Sequence, residues 1–368
     1  MRQRQQVDTA GVEEITLTPS ECTMLLVGLY KAGNYYRTQC LTGSPGCGKT
    51  SAVRAAAQEL AKIYPGFGYE EINPTMPADE VGGIPDLIRV EGHATMTDYA
   101  LPKWFGKLDP DWKGIICLDD ALQGDRLMQQ TLANLILARN LRGHALPKGA
   151  MIVATGNRVE DKAGVTKTLS HLADRMCTIN VKTEPTSWVD NFAIPKGIDE
   201  RVIAYIMRDK SKLDMFDPNL PKCATSRTWE AISGHLRYID TLNGPGLDQV
   251  RNKMAQALLS GEIGMGEAIS FHAFCGMFGR LPDIDDLLKN PSTAKVDYEL
   301  DIQYALAISI AQRIDGGNFG AALEYIDRIG PDLTTVAIKL ATKAKPELKT
   351  APAWQAWAIK NQDVVYAH

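Results

Sequence analysis

The chain has 368 residues, 45% hydrophobic and 23% charged, with a formal net charge of −4 at pH 7. That length allows two or three domains with sizeable cores, and the composition excludes a disordered or low-complexity chain. The small acidic surplus gives no basic footprint for nucleic acid, and no apolar run reaches the ~18 residues of a membrane span.

The first residues, MRQRQQVDTAGVEE, lack an apolar signal core, so a soluble cytoplasmic protein is the expectation. Seven cysteines, at 22, 40, 47, 117, 177, 223 and 275, form no C-x-x-C pair, which fits a reducing compartment. Cys40, Cys117 and Cys177 fall inside apolar runs and read as small core residues. The six histidines show no ligand spacing, and His93 and His144 are expected in hairpin turns.

The run YRTQCL predicts a strand near 36–41. It leads into TGSPGCGKTS, where Gly43, Gly48, Lys49 and Thr50 stand at the G-x-x-x-x-G-K-[ST] spacing. Next, KTSAVRAAAQELAKIY predicts a helix with Val53, Ala56, Ala57, Leu60 and Ile63 on one face. Strand, glycine loop and helix are what phosphate binding needs: glycines let backbone N–H groups converge, and the helix N-terminus adds partial positive charge. Gly43, Ser44, Pro45, Gly46, Cys47, Gly48, Lys49, Thr50 and Ser51 are therefore the candidate nucleotide-binding residues. Lys49 would reach the β- and γ-phosphates of ATP, and the Thr50 hydroxyl would hold Mg²⁺. The competing reading is a glycine-rich turn with a solvated lysine.

A second strand is expected near 69–72. A third, at 114–118 in KGIICLDDALQ, ends in Asp119 and Asp120. Ligands of parallel sheets lie beyond the C-terminal strand ends, so Asp119 is the candidate metal residue and Asp120 the candidate base for a water. The competing reading makes the two acids an N-cap for ALQGDRLMQQTLANLI. The run KGAMIVATGNRVED predicts a strand at 150–155 with Asn157 at its tip, suited to orient a water or touch the γ-phosphate; a plain turn asparagine competes. In LSHLADRMCTINV a short helix carrying Asp174 and Arg175 precedes a strand at 177–181. This alternation predicts a largely parallel, helix-flanked sheet.

After Val181 a Pro- and Gly-punctuated connector leads to the helices IDERVIAYIMRDKSKL, SRTWEAISGHLRYID and LDQVRNKMAQALLSG. Trp188 and Trp229 read as core anchors, and Arg227 begins one of these helices. The tail adds YELDIQYALAISIAQRI and NFGAALEYIDRI. It then carries Lys343, Lys345 and Lys349 with Trp354 and Trp357, read as a solvated face with packing or as a docking surface.

Together GSPGCGKT, IICLDD, ATGN, LADR and SRTWE, in that order, resemble an AAA+ ATPase of the MoxR type, close to MoxR-like ATPases of bacterial and phage genomes, over residues 15–290. The resemblance implies a P-loop NTPase core at 1–183 and a helical lid at 184–290; residues 291–368 lie outside the resemblance and read by their period as a helical C-terminal extension. It implies that Gly43–Thr50 is Walker A and Asp119–Asp120 Walker B. By the same resemblance Asn157 is sensor 1, Arg175 the arginine finger and Arg227 sensor 2. Leu87–Thr97, around Gly92, and Asn140–Gly149 look like the two hairpins of that family. One departure stands out: the family has Asp-Glu in Walker B, and Asp120 is one methylene shorter, so hydrolysis is either slow or served by adjusted geometry.

The implied function is Mg-ATP hydrolysis in a ring oligomer, a hexamer, acting as a chaperone on a protein client or adaptor of the von Willebrand factor A type. A DNA-directed motor or loader is the first alternative. The first hairpin offers Arg89 and His93 but also Asp86 and Glu91, which does not favour tracking of phosphates. An ATP-gated scaffold with very slow hydrolysis, suggested by Asp120, is the second.

Overall fold

The computed structural model describes residues 15–88, 96–124, 126–158, 161, 174–242 and 244–362. The chain divides into two compact units, residues 1–44 with 48–182 and residues 45–47 with 183–368.

In the first unit six strands form one parallel sheet: β1 (Thr16–Leu17), β2 (Thr38–Thr42), β3 (Gly68–Ile72), β6 (Lys113–Leu118), β9 (Gly149–Gly156) and β10 (Met176–Val181). Their order is β1-β10-β2-β9-β6-β3. β2 is buried throughout, β6 from Gly114 and β9 from Ala150. Such continuous buried runs arise where helices cover both faces of a parallel sheet. All five expected strands are present. The two-residue β1 is too short to show a period in sequence.

The sheet corrects one core assignment. Cys40 and Cys117 are buried, but Cys177 is exposed. Among the described residues β1 pairs with β10 only at Asn180 and Val181, and no second strand lies beside the first half of β10. Burial pushes the Cys40 thiol up to about 12, with the nearby Lys49 charge acting the other way, so it stays a neutral core thiol.

Two hairpins stand outside the sheet. β4 (Ile84–Ile88) pairs antiparallel with β5 (Met96–Ala100), while Arg89, Glu91, Gly92 and His93 lie outside the described residues. β7 (Asn140–Leu141) pairs with β8 (His144–Ala145) across Arg142 and Gly143, whose φ values of 53° and 97° fit a two-residue turn with both φ positive. His144 thus opens the return strand instead of sitting in the turn.

α1 (Pro19–Lys31) starts with a capping box: Thr18 accepts from the Glu21 N–H at 3.2 Å, and Glu21 accepts from the Thr18 N–H at 2.7 Å. Thr18→Ala is expected to lower stability by about 1 kcal/mol. A shift in the urea midpoint at unchanged slope checks this. α2 (Lys49–Ile63) buries Val53, Ala56, Ala57 and Leu60 as its spacing predicts. Ile63 is 47% exposed, because the helix ends there and Tyr64 leaves in extended backbone. A short helix, α3 (Ala78–Gly82), precedes β4, and α4 (Arg126–Ala138) begins only after a 3-10 turn, Ala121–Gln123, so Asp119 and Asp120 do not cap it.

The second unit is helical. Its longer helices are Glu200–Arg208, Ser226–Thr241, Asp248–Ile263, Met265–Phe278, Leu300–Arg313, Phe319–Ile329, Pro331–Ala344 and Pro352–Lys360. One apolar core runs from Trp188 to Trp357, drawing on residues both before and after 290. Trp229 is fully buried, packs its ring 5.1 Å from that of Phe271, and donates from Nε1 to Lys212 O at 2.8 Å. Trp357 is buried and Trp354 packs on the same core, while Lys345 bonds the carbonyls of Gln312 and Ile314. The tail tryptophans are therefore packing. Within this unit the Thr183 hydroxyl donates to Cys47 O at 3.1 Å, and the Ser226 hydroxyl donates to Gly46 O.

Candidate phosphate-binding site

Strand order decides what meets what. β9 lies between β2 and β6, with Gly156 opposite Thr42 and Ala154 opposite Leu118. The residues just beyond β2, β6 and β9 therefore share one edge, the C-terminal one, where parallel sheets bind ligands. Gly43, Asp119 and Asn157 come together there from three separate stretches of chain.

The loop after β2 is tied to β9 by the Gly43 N–H donating to Gly156 O at 3.3 Å. It ends at Gly48, whose φ of 97° and the 3.0 Å between an added Cβ and Pro19 Cγ both require glycine. Gly48 is also the N-cap of α2, and no side chain caps that helix. Gly48 brings no capping side chain, and the partial positive charge of a helix N-terminus favours an anion at the loop.

Lys49 opens α2 and is 6% exposed. Its Nζ donates to Gly43 O at 2.8 Å, Ser44 O at 2.9 Å and Asn157 Oδ1 at 3.0 Å. The charge is held by carbonyls inside the loop and not by solvent. Asn157 is itself buried.

One residue on, Thr50 Oγ1 donates to Asp119 Oδ1 at 2.5 Å. The Thr155 hydroxyl donates to the same oxygen at 2.7 Å and accepts the Asp120 N–H at 3.0 Å. The Asp119 N–H donates to Ile72 O at 2.8 Å, extending the β6 ladder by one residue before the chain turns. Asp120 sits in left-handed backbone, φ 57° and ψ 34°, a region that aspartate tolerates better than most residues. Thr50 Oγ1 and Asp119 Oδ1 form a pair of hard oxygens, the donor type that suits Mg²⁺ bound through one or two protein ligands and water.

The other expected site residues lie elsewhere. Arg175 is exposed, in the turn immediately before β10. Of the helix expected in LSHLADR, residues 169–173 lie outside the described ones, while Asp174 and Arg175 form a turn and not helix. The Arg37 guanidinium donates to Asp174 O at 3.1 Å and Met176 O at 3.2 Å, fixing the backbone on both sides of Arg175. Among the described residues no ion pair joins Arg175 to Asp174. Arg227 is exposed in the first turn of Ser226–Thr241, in the second unit. The residue that sequence reading missed is Thr155. The signal was present: it lies two residues before Asn157, on the same strand face.

A parallel sheet whose buried strand passes through a glycine loop into a helix, followed by a helical region, is the α/β architecture of the phosphate-loop fold. No family model matches the sequence, and no curated protein matches it. Among solved structures the chain is similar to a RuvB point mutant from Thermotoga maritima, at 13% identity and TM-score 0.41, covering 79% of this chain and 80% of that one. It is also similar to AMPPCP-bound DnaA from Aquifex aeolicus, at 16% identity and TM-score 0.37, covering 95% of each chain. NtrX from Brucella abortus is a third, at 14% identity and TM-score 0.33, covering 90% of this chain and 70% of that one.

Proposed function

We propose that the chain is an AAA+ ATPase that binds and hydrolyses Mg-ATP in a ring oligomer and uses the cycle to remodel or activate a partner protein. The observation that carries it is the convergence at one sheet edge of the Lys49 ammonium, the Thr50–Asp119 oxygen pair and Asn157. Lys49, leaving Gly43 O and Ser44 O, would neutralise the β- and γ-phosphates. Thr50 and Asp119 would hold Mg²⁺, which when bound supplies charge neutralisation across those phosphates. Asp120 would take the proton of the attacking water, and Asn157 would orient that water. Arg227 would serve as sensor 2. In this proposal 184–290 acts as the lid and 291–368 as a C-terminal extension. The resemblance noted above points to a client or adaptor of the von Willebrand factor A type.

Steady-state phosphate release with and without Mg²⁺, with and without DNA, tests this reading. Mg²⁺-dependent turnover unaffected by DNA supports it; strong stimulation by DNA would favour a motor or loader instead.

The left-handed backbone at Asp120 bears on the missing glutamate, because aspartate accepts that conformation more readily than longer side chains do. Asp120→Asn is expected to keep Mg-ATP binding and lose about 10²–10⁴ in turnover, the usual contribution of a general base. A variant turning over normally places the base elsewhere. Asp120→Glu is expected to melt a few degrees lower. If it nonetheless hydrolyses faster, the reach of the native side chain limits the rate.

A further inference from the structure

We infer that Thr155 is a positioning residue that sets both acids of the site at once; this rests on the ATPase reading above. Thr155 is fully buried near the tip of β9, one residue beyond the last position at which β9 pairs with β6. That overhang carries its hydroxyl to the start of the Asp119–Asp120 pair.

The direction of each hydrogen bond is determined. The Asp120 N–H can only donate, so Thr155 Oγ1 accepts there at 3.0 Å. The single hydroxyl proton therefore goes to Asp119 Oδ1 at 2.7 Å. One side chain thus anchors the carboxylate assigned to the metal and the backbone from which the presumed base projects. The second bond matters because the Asp119 N–H faces β3 and the next N–H, that of Asp120, faces β9, where it meets the Thr155 hydroxyl just beyond the last paired residues of β6 and β9.

The tip of β9 is itself closely packed. A Cβ on Gly156 would lie 2.5 Å from Leu122 Cγ, so the 3-10 turn after Asp120 presses directly on the strand. Thr155, on the other face of the strand, is itself fully buried. Threonine supplies what this position needs; valine has the same shape and neither hydrogen-bonding function.

The test compares T155V and T155S with the native protein and K49A. Each is checked for cooperative melting, and T155A replaces T155V should the latter not fold. Binding of a fluorescent ATP analogue is titrated in EDTA and across Mg²⁺ concentration, and turnover is then measured over the same range. T155V is expected to bind the analogue normally in EDTA, because the phosphate loop is untouched. It should lose roughly 10–100-fold in apparent Mg²⁺ affinity or in turnover, the range seen when a residue supporting a metal ligand is removed. T155S should recover most of that loss, which a purely structural effect on stability would not produce. A folded T155V with native Mg²⁺ dependence and turnover, beside a K49A variant that has lost nucleotide binding, overturns this inference and leaves the ATPase reading standing. A native protein that binds no nucleotide overturns both.

Discussion

Lys49→Ala is expected to abolish nucleotide binding at ordinary ATP concentrations. The native ammonium is already desolvated and held by three acceptors at 2.8–3.0 Å, so little reorganisation is needed when phosphate oxygens replace them. Hydrogen bonds to a charged group contribute about 1.5–3 kcal/mol each, so losing two to phosphate corresponds to roughly 10²–10⁴ in Kd. Alanine also leaves the carbonyls of Gly43 and Ser44 without their donor, so the melting temperature must be followed alongside binding. Lys49→Arg keeps the charge but replaces a compact ammonium by a planar fork in a buried cradle, and is expected to bind poorly as well. Calorimetry of ATP binding decides. Native affinity in a folded Lys49→Ala protein would remove the phosphate-loop assignment altogether.

Arg175→Ala is expected to lower turnover by about 10³ or more while leaving stability nearly unchanged. An arginine finger supplied across a subunit boundary contributes on the order of 10³–10⁵ in rate. An exposed surface residue usually contributes under about 0.5 kcal/mol to folding. The geometry fits this division. Arg175 is exposed, its flanking carbonyls are pinned by Arg37, and no ion pair with Asp174 occupies it among the described residues. A guanidinium suits the task because it remains charged and can bridge two phosphate oxygens as charge builds up. Subunit mixing tests the trans assignment: inactive Lys49→Ala and inactive Arg175→Ala proteins, mixed, should regain some activity, since an intact finger can then face an intact loop. A mixture that stays inactive while subunits exchange, or activity that persists in a proven monomer, would rule out the trans-acting finger.

The local features of the site were written in short stretches of sequence. The G-x-x-x-x-G-K-[ST] spacing, the apolar run before Asp119 and the alanine-rich helix after Thr50 each depend on neighbours within a few residues, and they predicted β2, β6 and α2 closely. Errors arose where a residue's environment depended on distant chain. Cys177 sits in an apolar run, yet among the described residues its strand is partnered on one side for only two residues. His144 stands in an expected hairpin turn, yet it opens the return strand β8.

By itself, then, the sequence determined the strand–loop–helix unit, the alternation that makes a parallel sheet, and the polar residues at the strand tips. These follow from backbone propensity and periodicity, which act over a few residues. Only the tertiary structure decided that β9 inserts between β2 and β6, because strand order is set by which buried faces and helix crossovers pack together over long separations. That insertion places Asn157 against Lys49 and turns Thr155 from an anonymous strand residue into the link between Asp119 and Asp120.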